Sequence, residues 1–208
     1  MKRIDELIER YPDLAGIKGN IEHAYQMMEE AYTSGHKILI GGNGGSCADG
    51  EHMVGELMKG FLKHRVISAE LQKSLQEVDP EMGAELSEKL EGAITAITVT
   101  NHPGLTTAYA NDIGAEYEFA QQVNGYGRKG DLFIAISTSG NSKNVLFAAV
   151  TAKAMGIKVL AFTGGTGGKL MKYADEAIVI PYNTSFEVQE RHMPVYHALC
   201  LEMEDKFF

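Results

Sequence analysis

Four short segments of this 208-residue chain place residues that do chemistry at informative spacings. Two of them, GGNGGS (41–46) and STSGNS (137–142), gather Gly, Ser and Asn where an apolar run hands over to a helix. Glycine lets a backbone come close to an anion, exposed amides at a helix N-terminus point toward it, and the hydroxyls of Ser137, Thr138, Ser139 and Ser142 add donors. Phosphate is the natural guest. One such loop alone reads equally well as a tight turn with a serine cap, but two in one chain favour a ligand. Neither loop fits a nucleotide fingerprint, since no Lys follows as in a P-loop and GGNGGS lacks the GxGxxG spacing. Hydroxyl and amide groups predominate over Lys and Arg, which suits a small phosphate ester with a polar, sugar-like body.

The third segment follows the first loop directly. His52 and Glu56 are four apart in CADGEHMVGELMKGF (47–61), so on a helix they share one face. That spacing serves metal ligation or paired acid/base work, and equally a solvated helix pair. The fourth segment, FEVQERHMPVYHALCLEMEDKFF (186–208), carries Gln189, Glu190, His192 and His197. In one straight helix Gln189 and His197 stand about 12 Å apart at ~1.5 Å rise per residue, so they share a metal or substrate only if Gln189 sits on a turn or bend. Pro194 is expected to supply that bend, because it removes a helix hydrogen bond and clashes with the carbonyl of Glu190.

These segments need a frame. KILIG (37–41), AITAITV (93–99), DLFIAIS (131–137), KVLAFT (158–163) and EAIVIP (176–181) are short, β-branched-rich and almost continuously apolar, as strands buried on both faces of a parallel sheet are. Helical stretches such as 143–155 and 167–174 lie between them as crossovers. The pattern predicts an α/β fold with a doubly wound, mainly parallel five-stranded sheet flanked by helices. In such sheets ligands sit beyond the carboxyl ends of the strands, where both loops fall. Residues 1–35 read as N-terminal helices from apolar steps of three, four and seven, and 64–92 as a charged helical hairpin broken at Asp79 and Pro80. The length predicts a single domain over 1–208.

Composition narrows the partners. With 44% hydrophobic and 23% charged residues the chain reads as an ordinary globular protein. A net charge of −9 without a basic patch makes nucleic acid a poor direct partner. MKRIDELIERYPDL has no apolar leader segment and no run approaches the ~18 residues of a membrane span, which predicts a cytoplasmic address. Cys47 and Cys200 are too few for a disulfide scaffold.

Taken together, GGNGGS with HxxxE behind it, ANDIG (110–114), ISTSGNS (136–142), FTGGTGG (162–168) and QExHxxxxH (189–197) resemble the sugar isomerase (SIS) domain, most closely its sedoheptulose 7-phosphate (phosphoheptose) isomerase branch. The resemblance covers the chain apart from 64–92, where the insertion is longer than in that branch and is expected to reshape substrate access. It implies a homotetramer with sites at subunit interfaces, interconverting sedoheptulose 7-phosphate and D-glycero-D-manno-heptose 7-phosphate through an enediol. By the same resemblance Ser137, Thr138, Ser139 and Ser142 hold the phosphate, while Asn43, Gly44, Gly45, Ser46, Asn111, Asp112 and Gln189 contact the sugar. Zinc is implied as a possible cofactor on His52, Glu56, Gln189 and His197, with Glu56 and His197 also assigned the proton transfers. A carboxylate bound tightly to zinc is a poorer base, so the two roles of Glu56 compete. The resemblance also admits a noncatalytic phosphosugar-binding or protein-interaction module, like relatives that associate with the replication initiator.

Overall fold

Five apolar runs too hydrophobic to face water on either side build the sheet of the computed structural model, which describes residues 1–208. They are β1 (Ile38–Gly41), β2 (Ala96–Thr98), β3 (Leu132–Ile136), β4 (Lys158–Gly164) and β5 (Glu176–Ile180). The order is β2-β1-β3-β4-β5 and every pairing is parallel, with Ile40 beside both Thr98 and Ile134, and Ile136 beside Phe162. This is the doubly wound α/β arrangement expected from the sequence. The winding reverses between β1 and β3, so their carboxyl ends open the crevice in which such sheets take ligands.

The helices are α1 (Lys2–Arg10), α2 (Lys18–Thr33), α3 (Gly45–Met58), α4 (Ala69–Val78), α5 (Pro80–Lys89), α6 (Pro103–Asp112), α7 (Glu118–Tyr126), α8 (Lys143–Ala154) and α9 (Ser185–Phe207). Because strand side chains alternate, Ile38, Ile40, Ile134, Leu160 and Phe162 face a layer of α1, α2, α3 and α9. Leu39, Phe133, Val159 and Ala161 face α7 and α8 on the other side.

Three elements differ from the sequence reading. The stretch 167–174 forms only a short 3-10 turn, Gly168–Lys172, entered through Gly167 at φ +77°. The strand expected over 93–99 pairs for only three residues, Ala96–Thr98, at the sheet edge beside β1. Pro194 lies inside α9 without ending it: the helix runs unbroken from Ser185 to Phe207, held by packing against α1, α2 and α3. Arg191 is pinned outside any site, donating Nε to Asp13 Oδ2 at 2.7 Å between the rings of Tyr11 and Tyr182.

Between α3 and β2 the chain makes the hairpin α4–α5. The Asp79 side chain caps α5 by accepting from the amides of Glu81 (3.0 Å) and Met82 (2.8 Å), so one residue ends the first helix and starts the second. The two helices pack chiefly on each other, and Gly83 is their one buried residue. A single antiparallel bridge, Val66 to Glu91, closes the base.

Candidate active site

Both Gly/Ser loops sit at the reversal point. The loop after β1 leads through Asn43 and Gly44 into α3, and the loop after β3 leads through Ser142 into α8. Neither helix has a side-chain cap. The Ser142 hydroxyl instead accepts from Ser137 Oγ at 3.1 Å, and Thr138 Oγ1 lies 3.1 Å from Ser185 Oγ at the start of α9. The loops are stitched together by a reciprocal amide pair, Asn43 with Asn144, at 2.9 and 2.8 Å. Gly140 makes the second loop feasible: it holds φ +62°, and a Cβ there would drive into the carbonyl group of Gly167. Hydroxyls and uncapped amides thus line one rim, which suits an anion.

From this rim α3 and α9 run side by side in the same direction, since each leaves the carboxyl end of a parallel strand. Gly45 meets Gln189, His52 meets Tyr196 and the backbone of Phe61 meets Glu204. An open cleft of about 400 Å³ lies between their first turns, lined by Gly45, Asp49, Phe186, Gln189 and Met193 among others. Further along, His52 Nε2 stands 3.2 Å from Glu56 Oε1, and Lys59 Nζ is 3.3 Å from Glu56 Oε2. The His52 and His197 rings meet edge to face at 5.0 Å. His197 also packs edge-on to Phe61 at 5.3 Å and lines a smaller cleft of about 170 Å³ with Arg10 and Tyr11.

The environment sets the protons. Burial, then the charge of His52, lowers the pKa of His197, so it is a neutral imidazole near pH 7. Its Nε2 is buried without a hydrogen-bond partner. Two residues that the sequence reading passed over complete the cluster. Tyr196 OH lies 2.9 Å from His52 Nδ1 and 3.5 Å from Asp49 Oδ1. Burial outweighs the Tyr196 bond and lifts the Asp49 carboxyl to about 6, while the other carboxylate oxygen, Oδ2, is left unpartnered. Spacing held a signal for both: Asp49 is three before His52 on one helix face, and Tyr196 adjoins His197. His192, by contrast, is fully buried behind the site, with Nε2 3.4 Å from the Thr163 carbonyl.

The other residues singled out from the sequence fall into two groups. Asn43, Gly44, Gly45, Ser46, Ser137, Thr138, Ser139 and Ser142 all lie on the two loops or the first turn of α3. Gln189 reaches the same rim, close enough that a Cβ on Gly45 would lie 2.6 Å from its Nε2. Because α9 is continuous, Gln189 stays about 12 Å along the axis from His197. Asn111 and Asp112 bond each other at 2.8 Å at the end of α6, which packs on α7 and the 3-10 turn Ala115–Tyr117; no hydrogen bond joins them to either loop.

Two imidazoles, a carboxylate and an amide are donors that zinc accepts, and the orphan Nε2 of His197 is the kind of buried nitrogen such an ion satisfies. The residues fit zinc by type. They are not a ready ligand set, since no three His, Cys, Asp or Glu side chains stand together at ligating spacing.

Comparison with known proteins places this geometry. Residues 92–199 match the SIS domain model. The chain is 35% identical over 203 residues to the phosphoheptose isomerase of Fusobacterium nucleatum, covering 98% of this chain and 91% of that one. It is 31% identical to the phosphoheptose isomerase of Akkermansia muciniphila, covering 97% and 93%. Among solved structures it is similar to the phosphoheptose isomerase of Neisseria gonorrhoeae, with a TM-score of 0.76 and 28% identity over 97% of this chain and 94% of that chain. The loop after β3 and most of α9 lie within that SIS match, the loop after β1 and α3 lie in the part covered by the full-length relatives, and the chain belongs to the phosphoheptose isomerase family.

Proposed function

We propose that this chain is an aldose–ketose isomerase converting sedoheptulose 7-phosphate to D-glycero-D-manno-heptose 7-phosphate. The observation that carries the reading is the meeting of His52, Glu56 and His197 on two parallel helices that both begin at the anion-binding rim. From Ser46 to His52 the distance along α3 is about 9 Å at ~1.5 Å per residue, room for an extended sugar chain between phosphate and reacting carbons.

The reaction moves a carbonyl between C1 and C2. Glu56 takes a proton from one carbon and returns it to the neighbouring one, with an enediol between. His197, neutral by burial, exchanges protons with the two oxygens. A neutral imidazole is matched to that task, because it donates to a developing enediolate without being a strong acid. Ser137, Thr138, Ser139 and Ser142 hold the phosphate, and Asn43, Gly44, Gly45, Ser46 and Gln189 the sugar end near the loops. The family resemblance gives Asn111 and Asp112, at the end of α6, contacts to hydroxyls of the bound sugar.

Of the residues the resemblance implies for zinc, His52, Glu56 and His197 would hold it, while the unbroken α9 keeps Gln189 about 12 Å along the axis from His197. The ion would supply Lewis-acid polarisation of the carbonyl; the proton steps above rest on side chains alone. Association into a homotetramer with sites at subunit interfaces is supported by exposed apolar residues beside the cleft, Phe186 at 62% and Met193 at 46%. A cytoplasmic location accords with the absence of any helix long and apolar enough to cross a membrane.

Turnover of sedoheptulose 7-phosphate by Glu56→Gln and His197→Ala is the test. Lost turnover with phosphate-ester binding retained supports the reading. Binding without turnover in the parent protein sinks it in favour of a binding module.

A further inference from the structure

The helices that carry Glu56 and His197 are joined at their carboxyl ends by a buried ion pair that the proton chemistry does not use. Arg65 is 1% exposed. Its Nε donates to Glu204 Oε1 at 2.9 Å, one terminal nitrogen to the Leu57 carbonyl at 2.8 Å, and the other to the carbonyl of Glu56 itself at 2.9 Å. Glu204, also 1% exposed, accepts from the amides of Phe61 (2.7 Å) and Leu62 (2.8 Å). The Phe208 ring closes the pocket 4.8 Å from the guanidinium. Glu204 follows His197 by about two turns on the same helix. One planar group therefore grips the backbone of the base and the helix of the acid.

The last carbonyls of a helix need partners from outside it, and α3 ends in an extended residue, Lys59, not in a turn that would supply them. Arg65 supplies two. Burying an ion pair is costly in desolvation, and a well-packed apolar pair often serves stability as well. What an apolar pair lacks is the fork of donors that fixes several acceptors relative to one another. The base of the insertion keeps this fork in place: the Arg65 carbonyl accepts from Gly92 N at 2.7 Å, and Glu91 accepts from Gly60 N at 2.7 Å.

We propose that Arg65 is a positioning residue for the isomerase reaction, bracing α3 against α9 through Glu204 so that Glu56 and His197 keep their working separation. The role rests on the proton-transfer reading above. Misplacement of reacting groups by about 1 Å costs up to about 100-fold in rate, which sets the scale of the effect.

Arg65→Lys keeps the charge and loses the fork. At a temperature where circular dichroism shows it fully folded, we expect kcat to fall about 10- to 100-fold with KM within about threefold. Deuterium exchange into sedoheptulose 7-phosphate should fall in parallel. The ring NMR signals of His52 and His197 should shift while those of His23 and His36 stay. The double variant Arg65→Met/Glu204→Leu, which leaves no lone buried charge, should fold and show the same losses. Folded variants with parental kcat and unmoved His52 and His197 signals would overturn the brace. If the parent protein itself neither turns over nor exchanges the sugar, the isomerase reading fails separately, and the histidine signals alone decide: a shift supports the brace and no shift overturns it.

Discussion

The pair α3 and α9 and the pair α4 and α5 have similar sequence texture, with Leu, Met and Val at helical steps among many charges, yet they meet opposite environments. The first pair buries Met53, Leu57, Val195, Leu199 and Met203 and draws His192 and Glu204 inside with them. The second buries only Gly83 and leaves Val78 88% and Met82 60% exposed. The cause lies in what stands beside each pair. Both α3 and α9 leave the carboxyl ends of parallel strands, so the sheet lays them against each other and supplies a dry floor. The hairpin has only its own second helix. Polar groups acquire altered protons and fixed partners in the first setting and stay solvated in the second, which is why the proposed chemistry is assigned to the first pair.

The comparison breaks or sharpens under substitution. The largest effect is expected from Glu56→Gln, about 10³-fold in kcat with substrate binding kept, and about 10²-fold from His197→Ala, both read by NMR turnover. An equal loss from any charged hairpin residue, such as Glu85, would break the contrast.

Acid stability comes next. Burial holds His192 at about 4, well under its ordinary 6.5, with only a bond to the Thr163 carbonyl opposing. A depressed histidine contributes its full stability above pH 6.5 and loses it as pH falls toward 4, about 3 kcal/mol in all. Asp49 has the opposite sign: lifted to about 6 by burial, it favours the folded state most below pH 4 and loses that contribution as pH rises through 6. Urea midpoints at pH 7 and pH 4.5 check both, with His192→Leu flattening the acid loss and Asp49→Asn removing the decline toward neutral pH.

At the rim, Ser137→Ala should raise KM for the phosphorylated sugar about tenfold at nearly constant kcat, the size of one hydrogen bond to a charged group. Steady-state kinetics read this directly. The smallest change is expected from replacing residues 69–89 with a short Gly/Ser link that keeps Arg65 and Glu91. Melting temperature should move little and kcat should stay within about twofold, because the removed helices pack chiefly on each other.

The sheet could be read from the sequence because buried parallel strands are apolar without alternation, and the loops because two Gly/Ser handovers in one chain favour a ligand over a pair of capped turns. The partnership of α3 with α9 is visible only through the family resemblance, which puts His52, Glu56 and His197 at one site. Spacing within one helix shows which residues share a face, as with His52 and Glu56, and says nothing of what that face meets. Arg65 and Glu204 carry no spacing signal, and only the fold brings these two positions, 139 residues apart, into contact. Pro194 shows the limit from the other side, since local chemistry demands a break and packing on three neighbouring helices carries α9 through it.

The central claim is enediol proton transfer at the α3–α9 cluster. NMR of the purified, metal-quantified protein with sedoheptulose 7-phosphate in D₂O tests it most directly, following product and deuterium at the carbon beside the carbonyl. The account predicts both signals, lost together in Glu56→Gln. Bound sugar phosphate with neither product nor deuterium would contradict it.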